Sequence, residues 1–209
     1  MEERQAERKD RGTKKKRIVL IAAAAALALL VCAALLLVSA RSPKAVAERY
    51  VTALIKNDTE TQAKLWADDW KASTLATYGF FDGDEEAFFE KMSDQYGEDV
   101  ASWKDYSRVC IAHADEERRD LIGKYKIKVE ATKLRETSVR KLRNTFDAIF
   151  AFRERHYGLD PDGISKGAEV TVKARISGED DLYLKSVYTV YLVKIGPSWK
   201  VLTCDMEYK

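Results

Sequence analysis

The sequence predicts a membrane-spanning helix followed by an α+β domain, and three observations carry that prediction. A run of 23 residues near the amino terminus holds no charge. Apolar residues recur at helical spacing in the stretch after it. In the C-terminal third they alternate every second residue. Helices first and strands last is the order of an α+β domain in which N-terminal helices pack on a curved antiparallel sheet. The whole-chain numbers agree. The 209 residues are 46% hydrophobic, which excludes wholesale disorder. The 36 Lys+Arg against 34 Asp+Glu give no global electrostatic case for a nucleic-acid partner. Three cysteines are too few for a disulfide-dense scaffold.

The charge-free run is Ile18–Ala40, with twelve Ile, Leu or Val and nine Ala. As a helix at 1.5 Å per residue it would be about 34 Å long, enough to cross a hydrocarbon core of about 30 Å. Its large aliphatics favour insertion by about 4–7 kcal/mol. Residues 1–17 carry eight basic and four acidic side chains, with Arg11, Lys14, Lys15, Lys16 and Arg17 directly against the run. Positive flanks stay in the cytoplasm, so residues 41–209, with 28 bases and 30 acids, are expected outside a single-pass anchor in the lipid bilayer. Val38-Ser39-Ala40 resembles a small-residue cleavage site, but the run is longer than a secretory h-region, so an uncleaved anchor is the expectation. A lipoprotein reading of Cys32 is disfavoured by Val31 before it. The Ala22/Ala26 and Ala24/Ala28 pairs have small-xxx-small spacing, a weak basis for self-association.

Within 41–209, Ser42 and Pro43 mark a helix start, with Val46, Tyr50, Val51 and Leu54 as its apolar stripe. Asn57-Asp58 breaks it, and Thr59 with Gln62 fits a capping box for a second helix bearing Ala63, Leu65 and Trp66. A looser stretch containing Trp70, Tyr78, Phe80 and Phe81 follows. Asp84 opens a third helix, with Phe88, Phe89, Met92 and Tyr96 inward and Gly97 ending it. Val100–Leu121 reads either as one helix or as a strand and a helix. Tyr125, Ile127 and Val129 alternate with charged residues as a half-buried strand. Ser138–Tyr157 reads as one long helix with Val139, Leu142, Phe146, Ile149, Phe150 and Tyr157 along one side. Three strands close the chain: one around Val170–Ile176, one over Leu182–Ile195 and one from Trp199, joined by the turns at Gly178 and Gly196-Pro197.

The opening SPKAVAERYVTALIKNDTETQAKLW resembles the first two helices of nuclear-transport-factor-2-like domains. The closing AEVTVKARISG and SVYTVYLVKIGPSWKVLTCD resemble the final strands of that superfamily, especially of its small membrane-anchored bacterial members. The resemblance implies a cone-like fold with a pocket between sheet and helices. The superfamily includes enzymes, ligand binders and non-catalytic assembly parts, so the fold does not fix the function.

The catalytic inventory is thin. His113 and His156 have no second His at ligand spacing, so no metal site is expected. The acidic stretches Asp82–Glu86 and Asp160–Asp162 lack calcium-loop spacing and read as a helix cap and a turn. There is no P-loop, dinucleotide fingerprint or nucleophile elbow, so no cofactor is expected. Superfamily enzymes place an acid, a His or a Tyr deep in the pocket. Asp147, beside the Phe146–Phe150 face, is the candidate general base, provided that burial raises its pKa. Tyr183, Tyr188, Tyr191 and Trp199 could line an apolar pocket or fill the core. Lys194, Lys200 and Lys209 alternate with aromatics, but the net −2 of residues 41–209 argues against single-stranded nucleic acid. Cys110 and Cys204 are either a disulfide or two free thiols. No ligand-binding residue stands out. The expected function is a non-catalytic envelope domain that binds a protein or small ligand. A small pocket enzyme of isomerase or hydrolase type, or a scaffold subunit of a secretion, transfer or division complex, are the alternatives.

Overall fold

A computed structural model describes residues 42–208. The expected anchor Ile18–Ala40, the tail 1–17, Cys32 and the alanine pairs lie outside the described residues. Among the described residues no helix is long and apolar enough to cross a membrane. The described part is α+β: helices pack on a four-stranded antiparallel sheet of strand order β1-β2-β3-β4.

Helix α1 (Pro43–Lys56) starts as its sequence directs, with the Ser42 hydroxyl accepting from Ala45 N–H and Pro43 in the first turn. It ends at Asn57 in the left-handed region. Val46, Ala47, Tyr50 and Val51 are buried, whereas Leu54, expected on the stripe, is exposed. Helix α2 (Thr59–Leu65) is capped by Asp58 rather than Thr59. The Asp58 carboxylate accepts from both the backbone and the hydroxyl of Thr61, and Gln62 donates instead to Ala53 O. Helix α3 (Trp70–Thr77) occupies the stretch expected to be loose. Its own cap, Asp69, accepts from Lys71 and Ala72 N–H, and Leu75 anchors it. Helix α4 (Glu85–Tyr96) runs between Asp84 and Gly97 as expected. Helix α5 (Trp103–Ile122) resolves the ambiguous middle as one helix after a short link, with Ser102 accepting from Asp105 N–H.

The strands are β1 (Lys126–Thr137), β2 (Ile164–Ser177), β3 (Tyr183–Ile195) and β4 (Ser198–Tyr208). Each adjacent pair is interrupted once, with Thr132, Ser165 and Leu202 as the extra residues. Such bulges bend and twist the strands that carry them. The long helix expected over Ser138–Tyr157 is two helices, α6 (Val139–Thr145) and α7 (Asp147–Tyr157). The break falls at Phe146, whose ring turns onto Tyr191 at 4.5 Å between centroids. The weak helix formers Asn144 and Thr145 precede it.

Alternation sorts the strand residues onto two faces. One face carries Val170, Val172, Tyr188, Val190 and Leu192, packed under α1. The other carries Tyr191 and Val193, which with Leu202 pack against Leu142 and Phe150 of the α6–α7 pair. Helices therefore cover both faces at one end of the sheet. Side chains fill most of the space between α1 and the sheet, but a pocket of about 640 Å³, lined by Thr52, Lys56, Asp115, Arg119, Ile127 and Val129, opens between α1, α5 and β1. A separate core joins α3, α4 and α5 around Phe88, Met92, Tyr106 and Val109.

The β2–β3 connection is locked to the end of α5. Glu179 N–H donates to Ile122 O at 2.8 Å, and a Cβ on Gly178 would lie 2.6 Å from Ile122 Cβ. Gly178→Ala must push the hairpin off the helix. A cost of about 1–3 kcal/mol is expected, read as a lower urea midpoint at unchanged slope.

Candidate functional site

The segment Trp66-Ala67 runs along the free edge of β4, with Ala67 N–H donating to Val201 O at 3.0 Å. This placement turns the next side chain, Asp68, inward onto α7. There it meets Arg153, with Nε 3.5 Å from Oδ2. The Asp68 side chain is 0% exposed and that of Arg153 13%. The Arg153 guanidinium also lies 4.5 Å over the Trp66 ring, and Tyr50 of α1 stacks on Trp66 at 5.7 Å. One residue on, Asp69 N–H donates to Tyr157 O at 3.0 Å while the Asp69 carboxylate caps α3. These contacts fix α3 against α7.

The pair is electrostatically costly. Burial pushes the Asp68 carboxyl above the usual carboxylate range, only partly opposed by Arg153. Burial likewise pulls Arg153 below the usual guanidinium value. Burial also raises the Tyr50 phenol. Both Asp68 carboxylate oxygens, Arg153 Nη1 and Trp66 Nε1 are buried and make no hydrogen bond. Charge attraction and ring stacking hold this cluster, not a saturated hydrogen-bond network.

Above the ion pair, α3, the loop before α4 and α7 enclose a groove of about 410 Å³. Leu75, Phe80, Phe81, Phe152, His156 and Tyr157 are its main lining. Phe152 packs edge-on to Tyr157 at 5.5 Å and lies 4.7 Å from the His156 ring. Phe81 is nevertheless 85% exposed and Phe152 53% exposed. Lys71 and Glu85, 3.9 Å apart, supply charge to the lining. The arrangement offers aromatic surface with a partly polar border and no nucleophile–base pair.

The residues singled out from sequence fall elsewhere, apart from His156. Asp147 is exposed in the first turn of α7, so it lacks the burial that a general base there required. His113 is exposed and faces Glu117 at 3.8 Å. The bridge considered between Cys110 and Cys204 is not formed: both are free thiols. Cys110 sits in the α3–α5 core beside Tyr96, and Cys204 packs on the sheet core under α1. Burial raises both thiols, Cys204 up to about 12. The strand aromatics do not converge on a pocket. Tyr188 is core, Tyr191 lies under Phe146, Trp199 of β4 packs half-buried against the core under α1, and Tyr183 is exposed. Among the described residues no group of three His, Cys, Asp or Glu is placed to hold a metal ion.

Sequence reasoning passed over Asp68, Arg153 and Phe152, and it placed Phe81 without a role. Two signals were present. WADDW sets two acids between tryptophans, and Phe152 falls off the apolar side of its helix with no internal use. No family model, curated protein or solved structure matches the chain.

Proposed function

We propose that the chain is a single-pass bacterial envelope protein with a cytoplasmic amino terminus. Its outer domain, of nuclear-transport-factor-2-like type, is a non-catalytic module that docks a partner protein through the α3–α7 groove. The charge-free run and its basic flank support the topology. The observation that carries the binding reading is the exposure of Phe81 and Phe152 on the two sides of one groove. Contiguous exposed apolar surface of this kind marks interaction sites, and aromatics dominate the energetics of such sites. The partner segment should present apolar side chains to the groove floor and polar groups to Lys71 and Glu85.

The scaffold-subunit reading is favoured by a stretch of sheet face that the α6–α7 pair leaves uncovered. The pocket-enzyme reading has less support, because Asp147 is exposed and lines neither the α1–α5–β1 pocket nor the α3–α7 groove.

The test is a photo-crosslinking residue placed at position 81 of the full-length protein in living cells. A discrete adduct with an envelope protein is expected, lost on Phe152→Ser and absent when the crosslinker is at position 133. The same adducts from both positions, or none from position 81, would overturn the docking reading.

A further inference from the structure

The uncovered part of the outer sheet face lies toward the β2–β3 hairpin, and its charges are not arranged for stability. Lys128 of β1 pairs in register with Arg175 of β2, and Arg175 pairs with Lys185 of β3. Three cations therefore stand side by side on one face, about 5 Å apart from strand to strand. Like charges directly opposite each other destabilise a sheet. The flanking rows add Lys126 on one side and, on the other, Lys173 standing opposite Glu130. Glu130 lies 3.4 Å from Lys128, while no carboxylate among the described residues lies within 4.0 Å of Lys126, Lys173, Arg175 or Lys185. Among the described residues, Asp205 and Glu207 on β4 bound the patch on that side. The Tyr183 ring is held between Arg175 at 5.1 Å and Lys185 at 4.6 Å. Between the strands runs a groove of about 370 Å³ lined by four cations, Lys128, Lys173, Arg175 and Lys185, with Glu130 as its one acid and Val187 beside them.

We infer that this groove binds a linear polyphosphate chain, and not a nucleic acid, through the Lys128–Arg175–Lys185 row. A row of three cations about 10 Å long matches successive charges along a chain, and phosphate chemistry suits the forked guanidinium of Arg175 flanked by two ammonium groups. A bilayer surface fits less well. Leu184, an exposed apolar residue of the hairpin, has the alternation of the opposite face, which leaves the row without an apolar wedge beside it. Single-stranded nucleic acid also fits less well. Tyr183 is the one aromatic on this part of the face, and it is clamped between cations, not offered as one of a series of stacking platforms.

The test is lysine-reactive footprinting of the full-length protein in nanodiscs of neutral lipid, with long-chain inorganic polyphosphate as the probe. Reading each lysine separately keeps the basic tail 1–17 out of the signal. Polyphosphate is expected to slow labelling of Lys128, Lys173 and Lys185 by about tenfold, with protection fading as salt rises. Lys44, Lys64 and Lys104 should be unaffected. Arg175→Glu should abolish protection at Lys128 and Lys185 while leaving the melting temperature unchanged or higher, because it turns a repelling row into an alternating one. Protection confined to residues 1–17, or uniform over all lysines, would overturn the inference. So would equal protection by a single-stranded oligonucleotide, or protection by phosphatidylglycerol vesicles without any by polyphosphate.

Discussion

Asp68→Ala is expected to lower the stability of the α+β domain by about 3–5 kcal/mol, because it strands a buried guanidinium without its counter-charge. For a domain of this size that is a fall in melting temperature of about 6–20 °C. Arg153→Met should cost a comparable amount for the mirror-image reason. The double variant Asp68→Leu/Arg153→Met should recover much of the loss, since replacing a buried ion pair by packed apolar groups is often neutral or better. A double-mutant cycle measures the coupling directly. Single-variant losses below about 1 kcal/mol would show a solvated pair with no role in holding α3 to α7.

The same pair leaves a signature in pH. Burial raises the Asp68 carboxyl, so the folded domain still holds its proton where the unfolded chain has released it. The stabilisation from that proton is complete below the unfolded value, about 3.9, and is lost as pH rises through the raised folded value. Wild type should therefore lose stability relative to Asp68→Asn as pH rises through that acidic window. A constant difference, or one of opposite sign, contradicts the assignment. Thermal melts of both proteins across the window decide it.

Phe88→Ala carries the second large effect. Phe88 is 0% exposed and lies within 6.0 Å of the rings of Tyr78, Phe80, Phe89, Trp103 and Tyr106, which come from α4, α5 and the loop between α3 and α4. Truncation is expected to cost about 3–5 kcal/mol in lost burial and residual cavity, and Phe88→Leu less than about half of that. Because this core is separate from the one under α1, hydrogen exchange should show protection lost first in α3–α5 while β2 and β3 stay protected. Uniform loss over the whole domain would show that the two cores unfold as one unit. Phe80 contacts Phe88 and also lines the groove, so Phe88→Ala should weaken the crosslink from position 81 as well.

What the sequence made legible is what local rules decide. Ser42-Pro43, Asp84 and Gly97 announce helix ends, because a cap satisfies backbone groups within a few residues. The alternation in β1 and β2 announces strands, because one face of each packs on the core and the other meets solvent. What stayed hidden depends on contacts between distant parts of the chain. Phe146 breaks the long helix to reach Tyr191, and the weak helix formers Asn144 and Thr145 before it do not by themselves foretell a break. Helix α3 is short and rich in Ser and Thr, so its pattern was too weak to read without its packing. Asp68 and Arg153 meet only because Trp66-Ala67 lies along β4, and the cation row exists only in the strand register. The exposure of the candidate base Asp147 stayed hidden for the same reason: a helix position does not reveal which side another element will cover.

The most direct measurement is sided proteolysis of cells carrying different epitopes at the two ends of the chain. The result expected is loss of the carboxy-terminal epitope to added protease on intact, wall-permeable cells, with the amino-terminal epitope kept and sedimenting with membranes. A carboxy-terminal epitope that survives while a known surface marker is cut, or a full-length chain in the cytosolic supernatant after high-speed centrifugation, would contradict it.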